Sequence, residues 1–593
     1  MCTHDKYGAY AGYTISPYNT AFHLGLNTSF EDAAALPLEY MTAVIGLFKR
    51  LKLPEPGQEG DRNGAVVVYG GATTVATCLQ LFIMPAQEVF QQRDGAVFTT
   101  SQGAPVANPH AHQRAGPNGP LLLQDFHLID VLSHFNRERI PERVVHAKGA
   151  GAHGVLEITD PIADLTSSEF LSQKGKCSAT VRFSTVGGES GSADTARDPR
   201  GFSVKLRTEQ GNWDIVGNNT PVFFLRDPIK FPQFIHTQKR DPQTHLKDAD
   251  MFWDYLSQNP EAFHQVMILF GDRGVPNGYR HMHGYAGHTL KLVKADGSFV
   301  YAQFHFISNQ GTKFFTQGEA DKIAGENADY ATQDLFEAIQ RGENPSWDFC
   351  VQIMTPEQAE KFRYNILDLT KIWPHSEYPL RKIGKLTLNE NPKNYFAEVE
   401  QAAFAPSHLI PGVEPSADPV LQSRLFAYPD AHRYRLSVNY AQLPVNAPVH
   451  LPANFQRDGL MAFHSQGNRP GYPSTIQPLS YKPQAYTFDK HEQLVGTMLQ
   501  ELSEVTELDF EQPRALWEKV FDDAARKRFI SNVAGHLGGA KSLEIKKRAI
   551  SVFAAVHPDI GAGLSKALNL PFVPAYKPLP ASEALTFRLN RTN

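Results

Sequence analysis

Two short stretches of the chain combine residue types that can perform acid–base and redox chemistry. The first covers residues 136–146, where charged residues run up to Val144, Val145 and a single histidine, His146. A histidine that follows two valines and precedes small, flexible residues could face a flat, bulky partner. The alternative interpretation is a buried, hydrogen-bonded histidine where a loop meets a strand.

The second stretch covers residues 424–433 and contains an arginine and a tyrosine that share a helical spacing. On a helix, Arg424 and Tyr428 would lie one turn apart on the same face. A guanidinium against the phenol oxygen, together with a ferric ion, would favour the phenolate, so Tyr428 could be an anionic ligand of haem iron. The alternative is a buried tyrosine with an arginine stacked on it. Pro429 predicts that this helix ends just beyond Tyr428.

The elements that must position these residues are mostly β-strands. Many antiparallel strands in one large domain predict a closed barrel. The predicted strands cover residues 155–159, 179–184, 202–207, 213–216, 288–293, 300–306 and 347–354. The predicted helices cover residues 124–136, 248–257, 260–270, 331–341, 513–533 and 541–556. We therefore expect an α+β fold: a large antiparallel β-barrel, a long wrapping segment, a C-terminal helical domain and an extra N-terminal α/β fragment.

The composition excludes several classes of protein. The chain has 593 residues, of which 41% are hydrophobic and 20% charged, as is ordinary for a globular protein with a large core. A formal net charge of −5 does not indicate nucleic acid or an anionic membrane as partner. No apolar run is long enough for a membrane span, and the N-terminus does not resemble a signal peptide.

Cysteine usage and the last residues bear on the compartment. Cys2, Cys78, Cys177 and Cys350 are far apart and show no zinc spacing, which indicates reduced thiols in an intracellular compartment. The final residues 591–593 are not the peroxisomal tripeptide. We expect a cytoplasmic or peroxisomal protein.

Residues 1–90 differ in character from the rest. A β-branched run at residues 65–69 enters Gly70-Gly71, and a helical pattern follows. This segment resembles a fragment of the medium-chain reductases, in their zinc-independent enoyl-reductase branch. Ala76 occupies the third glycine position, and no second strand with an acidic residue follows. We expect a decayed or artefactual fusion rather than a working nucleotide site.

Further motifs lie between the histidine and the tyrosine, at residues 182–186, 198–202 and 217–224. With these, the chain from about residue 95 onward closely resembles the monofunctional haem catalases, in the small-subunit branch and in the fungal or animal style. The resemblance implies the catalase fold, haem b, a homotetramer, and disproportionation of hydrogen peroxide to water and oxygen, which protects cells from oxidative stress.

The resemblance also implies roles for matching residues. His146 would be the distal acid–base residue, Asn218 would hold the peroxide, and Ser184 would orient the imidazole ring. Tyr428 would be the proximal ligand of the haem iron. The remaining haem-site residues would be Val145 and Phe231 at the channel, Arg424, His288 and Asp418 beside the proximal tyrosine, and Arg143, Arg182 and Arg435 at the haem propionates.

Some members of this family hold NADPH between the barrel and the helical domain. His264, Arg273, Trp373 and His375 match residues of that site, whereas Gly271, His283 and Ile307 depart from the commoner polar pattern. The expected domains are 1–90 (reductase-like segment), 91–120 (linker and N-terminal arm), 121–374 (barrel with the distal haem site), 375–485 (wrapping segment with the proximal tyrosine helix) and 486–593 (helical domain).

Three other functions compete with hydrogen-peroxide disproportionation. The first is a catalase-fold enzyme acting on organic or fatty-acid hydroperoxides; such relatives have threonine where this chain has Val144. The second is a haem-binding pseudoenzyme, against which His146, Asn218 and Tyr428 argue. The third gives residues 1–90 a reductase or partner-docking function.

Overall fold

The computed structural model describes residues 97–498, 500 and 503–583. The chain divides into two compact units, with the boundary between Asn136 and Arg137. The reductase-like segment predicted for residues 1–90 lies outside the described residues. Within the described residues, no helix is both long and apolar enough to cross a membrane.

The described part of the first unit contains the helix α1 (Phe126–Phe135). The helix is capped by Asp125, whose side chain accepts a hydrogen bond from the backbone N–H of Leu128. The hydroxyl of Ser101 donates to Asp130 over 2.8 Å, which ties the preceding loop to the helix. Four apolar side chains at every third position of α1 are exposed: Phe126, Ile129, Leu132 and Phe135.

The second unit is built around an antiparallel sheet of ten strands. The strands are β1 (Gly149–Ile158), β2 (Gly175–Ser184), β3 (Gly201–Thr208), β4 (Gly211–Asn218), β5 (Gly284–Tyr285), β6 (Leu290–Val293), β7 (Phe299–Ser308), β8 (Ser346–Met354), β9 (Arg381–Glu390) and β10 (Val413–Pro415). Their order is β10-β6-β7-β5-β4-β3-β2-β1-β9-β8, and β7 also pairs with β8. That pairing closes eight strands into a barrel, as the sequence predicted, while β6 and β10 extend from it.

The barrel interior is filled by large aromatic side chains, because alternate residues of each strand point inward. Phe183 and Phe202 face each other across β2 and β3, with ring centroids 4.8 Å apart. On the opposite strands, Phe304 and Phe349 stack at 5.4 Å, and Trp213 meets Phe304 edge-on at 5.2 Å. The barrel interior is therefore a packed core rather than a channel.

Strand β9 was not among the strands predicted from the sequence. It lies within the segment 375–485 and is hydrogen-bonded between β1 and β8. Ile383, Leu386 and Leu388 are fully buried, and from Lys385 to Leu388 exposed or half-buried residues alternate with buried ones. The barrel wall therefore continues to Glu390.

Helices surround the barrel and form the C-terminal part. Before Tyr428 they are α2 (Lys230–Gln238), α3 (Ala249–Gln258), α4 (Phe263–Phe270), α5 (Gln317–Glu326), α6 (Tyr330–Gln340) and α7 (Pro356–Lys361). After it they are α9 (Leu508–Ala515), α10 (Asp523–Gly538), α11 (Leu543–Val556) and α12 (Pro558–Ala567). The predicted helix over 513–533 is thus interrupted, since a π-helical turn (Leu516–Val520) intervenes and Asp522 caps a new helix.

The tyrosine helix, α8 (Pro419–Leu436), differs from the prediction that Pro429 ends it. The helix continues for seven residues because its last turns are anchored by tertiary contacts. His432 is hydrogen-bonded to the carbonyl of Phe404 at 2.8 Å, and the Arg435 Nε donates to the carbonyl of Pro141 at 2.9 Å. These contacts offset the backbone hydrogen bond that proline cannot make.

Candidate active site

His146 lies just before strand β1 in an unusual backbone conformation. Its φ angle is +65°, in the left-handed region that costs a non-glycine residue free energy. Hydrogen bonds hold it there: its N–H donates to the carbonyl of Val186 at 3.1 Å, and its carbonyl accepts from Arg182 Nη1 at 2.8 Å. The surrounding strands therefore fix the direction in which this imidazole points.

The imidazole ring is held by one hydroxyl and packs against a glycine. The distance from His146 Nδ1 to Ser184 Oγ is 2.8 Å. A Cβ atom at Gly201 would come within 2.3 Å of Ser184 Oγ and 2.7 Å of His146 Nδ1, so only glycine fits beside this pair. Burial, together with Arg182 and Arg424, lowers the pKa of His146 to about 3, which keeps the ring neutral at physiological pH.

Asn218 ends strand β4, where its backbone pairs with Gly201 on one side and Tyr285 on the other. The same cavity is lined by the side chains of Asn218 and His146. The end of β4 and the segment before β1 therefore bring the amide and the imidazole, which are 72 positions apart in the sequence, to one cavity.

Apolar residues line another part of this cavity. Val145 and Phe231 are among them, together with Val222 and Phe223. The rings of Phe223 and Phe231 stack with centroids 6.2 Å apart. Water has few hydrogen-bonding partners along such a wall, so this part of the cavity favours small molecules that can shed their hydration.

A chain of four hydrogen-bonded side chains leads to the phenol of Tyr428. Arg424 Nη2 donates to Tyr428 Oη at 2.6 Å, and Arg424 Nη1 lies 2.6 Å from His288 Nε2. His288 Nδ1 lies 2.6 Å from Asp418 Oδ2. The spacing of Arg424 and Tyr428 thus brings them together on α8 as predicted from the sequence.

The direction of these hydrogen bonds follows from the guanidinium, which can only donate. His288 Nε2 must therefore accept from Arg424, so Nδ1 carries the proton and donates to Asp418. The pKa of His288 is lowered, chiefly by burial, which agrees with a neutral ring. The other carboxylate oxygen of Asp418 accepts from the N–H groups of Val420 and Leu421 and caps α8.

Three guanidiniums meet at one end of the cavity, those of Arg143, Arg182 and Arg435. Arg182 Nε and Arg435 Nη1 are buried without a hydrogen-bond partner in the protein. Burial, and then the charges of Arg182 and Arg435, hold the pKa of Arg143 well below its usual range. A ligand with carboxylates at this end would satisfy the unpaired donors and relieve the repulsion.

The cavity as a whole has a volume of about 370 Å³, within the range of small-molecule sites. Its apolar walls, cationic end and phenol oxygen fit a flat apolar group that has two carboxylates and a metal ion, as haem does. All the residues predicted for haem and catalysis line it except Asp418, which acts through His288. Gly201 was missed by the sequence analysis, although the motif 198–202 contains it.

A second cavity of about 940 Å³ lies between the barrel and the C-terminal helices. The four residues predicted for NADPH, His264, Arg273, Trp373 and His375, all line it. Lys361, Arg363 and Lys519 line it too, and sequence analysis did not identify them. Gly271, His283 and Ile307, the residues noted as departures, are not among the residues that line it.

Family comparisons agree with this geometry. A family model described as Catalase matches residues 99–478, and one described as Catalase-related immune-responsive matches residues 489–568. Neither match includes residues 1–90, so the reductase resemblance gains no support from them.

Individual relatives agree as well. A catalase of Schizosaccharomyces pombe is 56% identical over 79% of this chain and 93% of its own length. A peroxisomal catalase of Candida tropicalis is 54% identical over 79% of this chain and 97% of its own length, and a Drosophila melanogaster catalase is 52% identical over 80% and 94%.

Solved structures give the same result. A fungal catalase superposes with a TM-score of 0.79 at 51% identity, covering 81% of this chain and 98% of that protein. Catalase A from Saccharomyces cerevisiae gives 0.78 at 48% identity, covering 81% and 100%. The resemblance predicted from the residues around His146 and Tyr428 is thereby confirmed, and the chain belongs to the catalase family, the haem enzymes that disproportionate hydrogen peroxide to water and oxygen.

Proposed function

We propose that this chain disproportionates hydrogen peroxide at a haem b that is ligated by Tyr428 and anchored by Arg143, Arg182 and Arg435. One observation carries the proposal: a neutral histidine and a tyrosine with a guanidinium on its oxygen line a single apolar cavity. When bound, the haem supplies the iron centre that one peroxide oxidises and the next peroxide reduces.

The distal residues move the proton. With Nδ1 donating to Ser184 Oγ, the lone pair of His146 is on Nε2, which takes a proton from one peroxide oxygen and returns it to the other. The Asn218 amide donates a hydrogen bond that holds the peroxide during this transfer. Because burial lowers the pKa of His146 to about 3, the ring does not remain protonated between turnovers.

The proximal residues hold a positive charge against the phenol oxygen of Tyr428. Arg424 places a positive charge 2.6 Å from that oxygen, and His288 and Asp418 keep the guanidinium in position. An anionic oxygen ligand stabilises the oxidised states of iron. The proximal side thus contributes fixed charge, while the distal side contributes a mobile proton.

The two candidate substrates, hydrogen peroxide and organic or fatty-acid hydroperoxides, differ in size, and the width of the cavity can select between them. The stacked Phe223 and Phe231, with Val145, favour hydrogen peroxide over organic or fatty-acid hydroperoxides by narrowing the apolar part of the cavity. Val144 supports the same choice, because the relatives that act on fatty-acid hydroperoxides have threonine there.

The test uses the full chain loaded with haem. Its visible spectrum is recorded, and oxygen release from hydrogen peroxide is followed with an oxygen electrode, beside Tyr428→Phe and with cumene hydroperoxide as competing substrate. We expect a ferric high-spin spectrum and rapid oxygen release that Tyr428→Phe abolishes. Haem without oxygen release, or preferential consumption of cumene hydroperoxide, would contradict the proposal.

We also propose that the second cavity binds NADPH. Arg273, Lys361 and Lys519 supply positive charge for phosphates, and Trp373 supplies a flat surface for a ring. Fluorescence titration of the full chain with NADPH tests this, with Arg273→Leu as the variant. Saturable binding that Arg273→Leu weakens about tenfold is expected, whereas binding unaffected by this change would refute the assignment.

We further propose a homotetramer in the cytoplasm or peroxisome. Large apolar side chains are exposed on the wrapping segment, among them Tyr434, Leu460, Ile476 and Tyr481, each at least 75% exposed. Sedimentation of the full chain should give four times the monomer mass, and a monomer would contradict the proposal. Fluorescence microscopy of an N-terminal fusion tests the compartment.

A further inference from the structure

The cationic end of the haem cavity contains one carboxylate of the protein itself, that of Glu400. Glu400 ends a π-helical turn (Phe396–Glu400) that lies against strand β1. Its Oε1 accepts from Arg435 Nη2 at 2.9 Å and from Arg143 Nη1 at 3.4 Å. A single carboxylate therefore joins the segment before the distal histidine to the end of the tyrosine helix α8.

These groups are shielded from water. The side chains of Arg143, Arg435 and Glu400 are 12%, 3% and 19% exposed. Arg143 Nη2 also donates to the backbone carbonyls of Val399 and Ala402, at 3.1 and 2.8 Å. Those carbonyls satisfy hydrogen bonds but carry no net charge, so among the described residues Glu400 is the carboxylate that pairs with both arginines.

Glu400 neutralises only part of the positive charge at this end of the cavity. The cluster of Arg143, Arg182 and Arg435 holds three positive charges against the one negative charge of Glu400. The two propionates of haem would bring the total to three of each sign. Buried charges are stable only when they are paired, so the balance is complete only with haem.

We propose that Glu400 is a positioning residue that keeps Arg143 and Arg435 together before haem arrives and completes the neutral cluster once the propionates are bound. This inference rests on the proposed haem site. Glu400 does not touch the substrate; it acts through the two arginines.

The proposal predicts opposite effects on the haem-free and haem-loaded chain. In Glu400→Gln the amide oxygen still accepts a hydrogen bond, but the negative charge is lost. The haem-free chain then has three guanidiniums with no negative charge beside them. In the haem-loaded chain, two propionates compensate two of the three guanidiniums. The substitution should therefore destabilise the haem-free chain more, and the more positive site should hold the propionates more tightly.

Glu398→Gln is a matched control from the same π-helical turn. The Glu398 carboxylate pairs with His153 Nε2 at 2.9 Å and accepts from the N–H of Asn394, away from the arginine cluster. Its loss should lower the stability of both forms equally.

The first measurement is thermal unfolding of the full chain, with and without haem, for the wild type and both variants. We expect haem to raise the Tm of Glu400→Gln by at least about 3 °C more than that of the wild type or Glu398→Gln. Equal haem-induced shifts in all three would overturn the inference, since Glu400 would then be only a structural ion pair.

The second measurement needs no folded haem-free chain. Haem-loaded protein is mixed with excess apomyoglobin, and haem transfer is followed by its Soret absorbance. We expect release from Glu400→Gln to be about threefold slower than from the wild type, and faster release would overturn the inference. A wild-type chain that takes up no haem would instead refute the proposed function, so the two failures are distinguishable.

Discussion

The two halves of the active site use different physical means. On the distal side, His146, Ser184 and Asn218 are neutral, and their geometry is set by strand ends and a strained backbone at φ +65°. On the proximal side, Asp418, His288, Arg424 and Tyr428 form a line of short hydrogen bonds that begins at the N-cap of α8 and ends on α8.

The difference follows from what each half must do. A residue that shuttles a proton must return to its starting state, so a neutral ring in a dry site serves best. The proposed iron ligand needs a fixed positive charge beside its oxygen, and the guanidinium of Arg424 supplies it. The distal side therefore uses a histidine, which can take up and release a proton. The proximal side uses an arginine, which keeps its charge.

Replacing the distal base should have the largest effect. In His146→Gln we expect oxygen release to fall by about 10²–10⁴-fold, because no group then takes and returns the proton. Haem content, read from the Soret band, should stay at the wild-type level. His153→Gln, a change farther along β1, should keep activity within about twofold, and a similar loss there would show that β1 rather than the base matters.

Displacing the imidazole of His146 without replacing the residue should have the next largest effect on activity. Gly201→Ala puts a methyl group within 2.3 Å of Ser184 Oγ and 2.7 Å of His146 Nδ1. We expect kcat to fall by about 100-fold because the imidazole moves from its working position. Gly318→Ala, in α5 with no atom within 4 Å of the new methyl, is the control. Unchanged activity in Gly201→Ala would mean that the ring position is not critical.

Breaking the proximal line should cost less activity but change the spectrum. Arg424→Leu removes the donors to Tyr428 Oη and His288 Nε2, and we expect about a tenfold loss of activity with a shifted haem spectrum. Arg433→Leu alters an exposed arginine of the same helix and should leave both readouts unchanged. A wild-type spectrum in Arg424→Leu would mean that Arg424 does not influence the proximal side of the haem, which would contradict the contrast between the two halves.

The pH profile should show the smallest effect. The pKa of His146 is lowered from its ordinary value of 6.5 to about 3, so the ring stays neutral from pH 8 to pH 6. We expect kcat/KM to change less than about twofold over this range. Because the unfolded chain binds this proton more readily, the stability contribution is full above pH 6.5 and declines as the pH falls toward 3. A fall in kcat/KM centred near pH 6.5 would contradict a buried neutral base.

The sequence was sufficient to predict the residues whose role depends on their side-chain type and on their spacing within one element. The motifs singled out His146 and Tyr428, which line one cavity, and helical periodicity predicted the contact of Arg424 with Tyr428. The strands of the barrel could be predicted from alternating burial, although Lys385-Leu386-Thr387-Leu388 in β9 also alternates and was missed among neighbouring prolines.

What could not be predicted depends on contacts between distant segments. Gly201 matters only because β3 lies beside Ser184, and Glu400 only because a turn meets Arg143 and Arg435. Pro429 was expected to stop α8, since the anchoring of His432 and Arg435 is not visible in the local sequence.

Asp418 has a consequence for attempts to make this enzyme more heat-resistant. One carboxylate oxygen caps helix α8, and the other orients the imidazole of His288, which holds Arg424 against Tyr428. Under the proposed ligation of haem iron by Tyr428, exchanging this cap for serine or asparagine, a routine choice in protein engineering, would also alter the redox properties of the iron. A substitution of Asp418 therefore cannot change the thermal stability of the fold without also changing the redox potential of the iron.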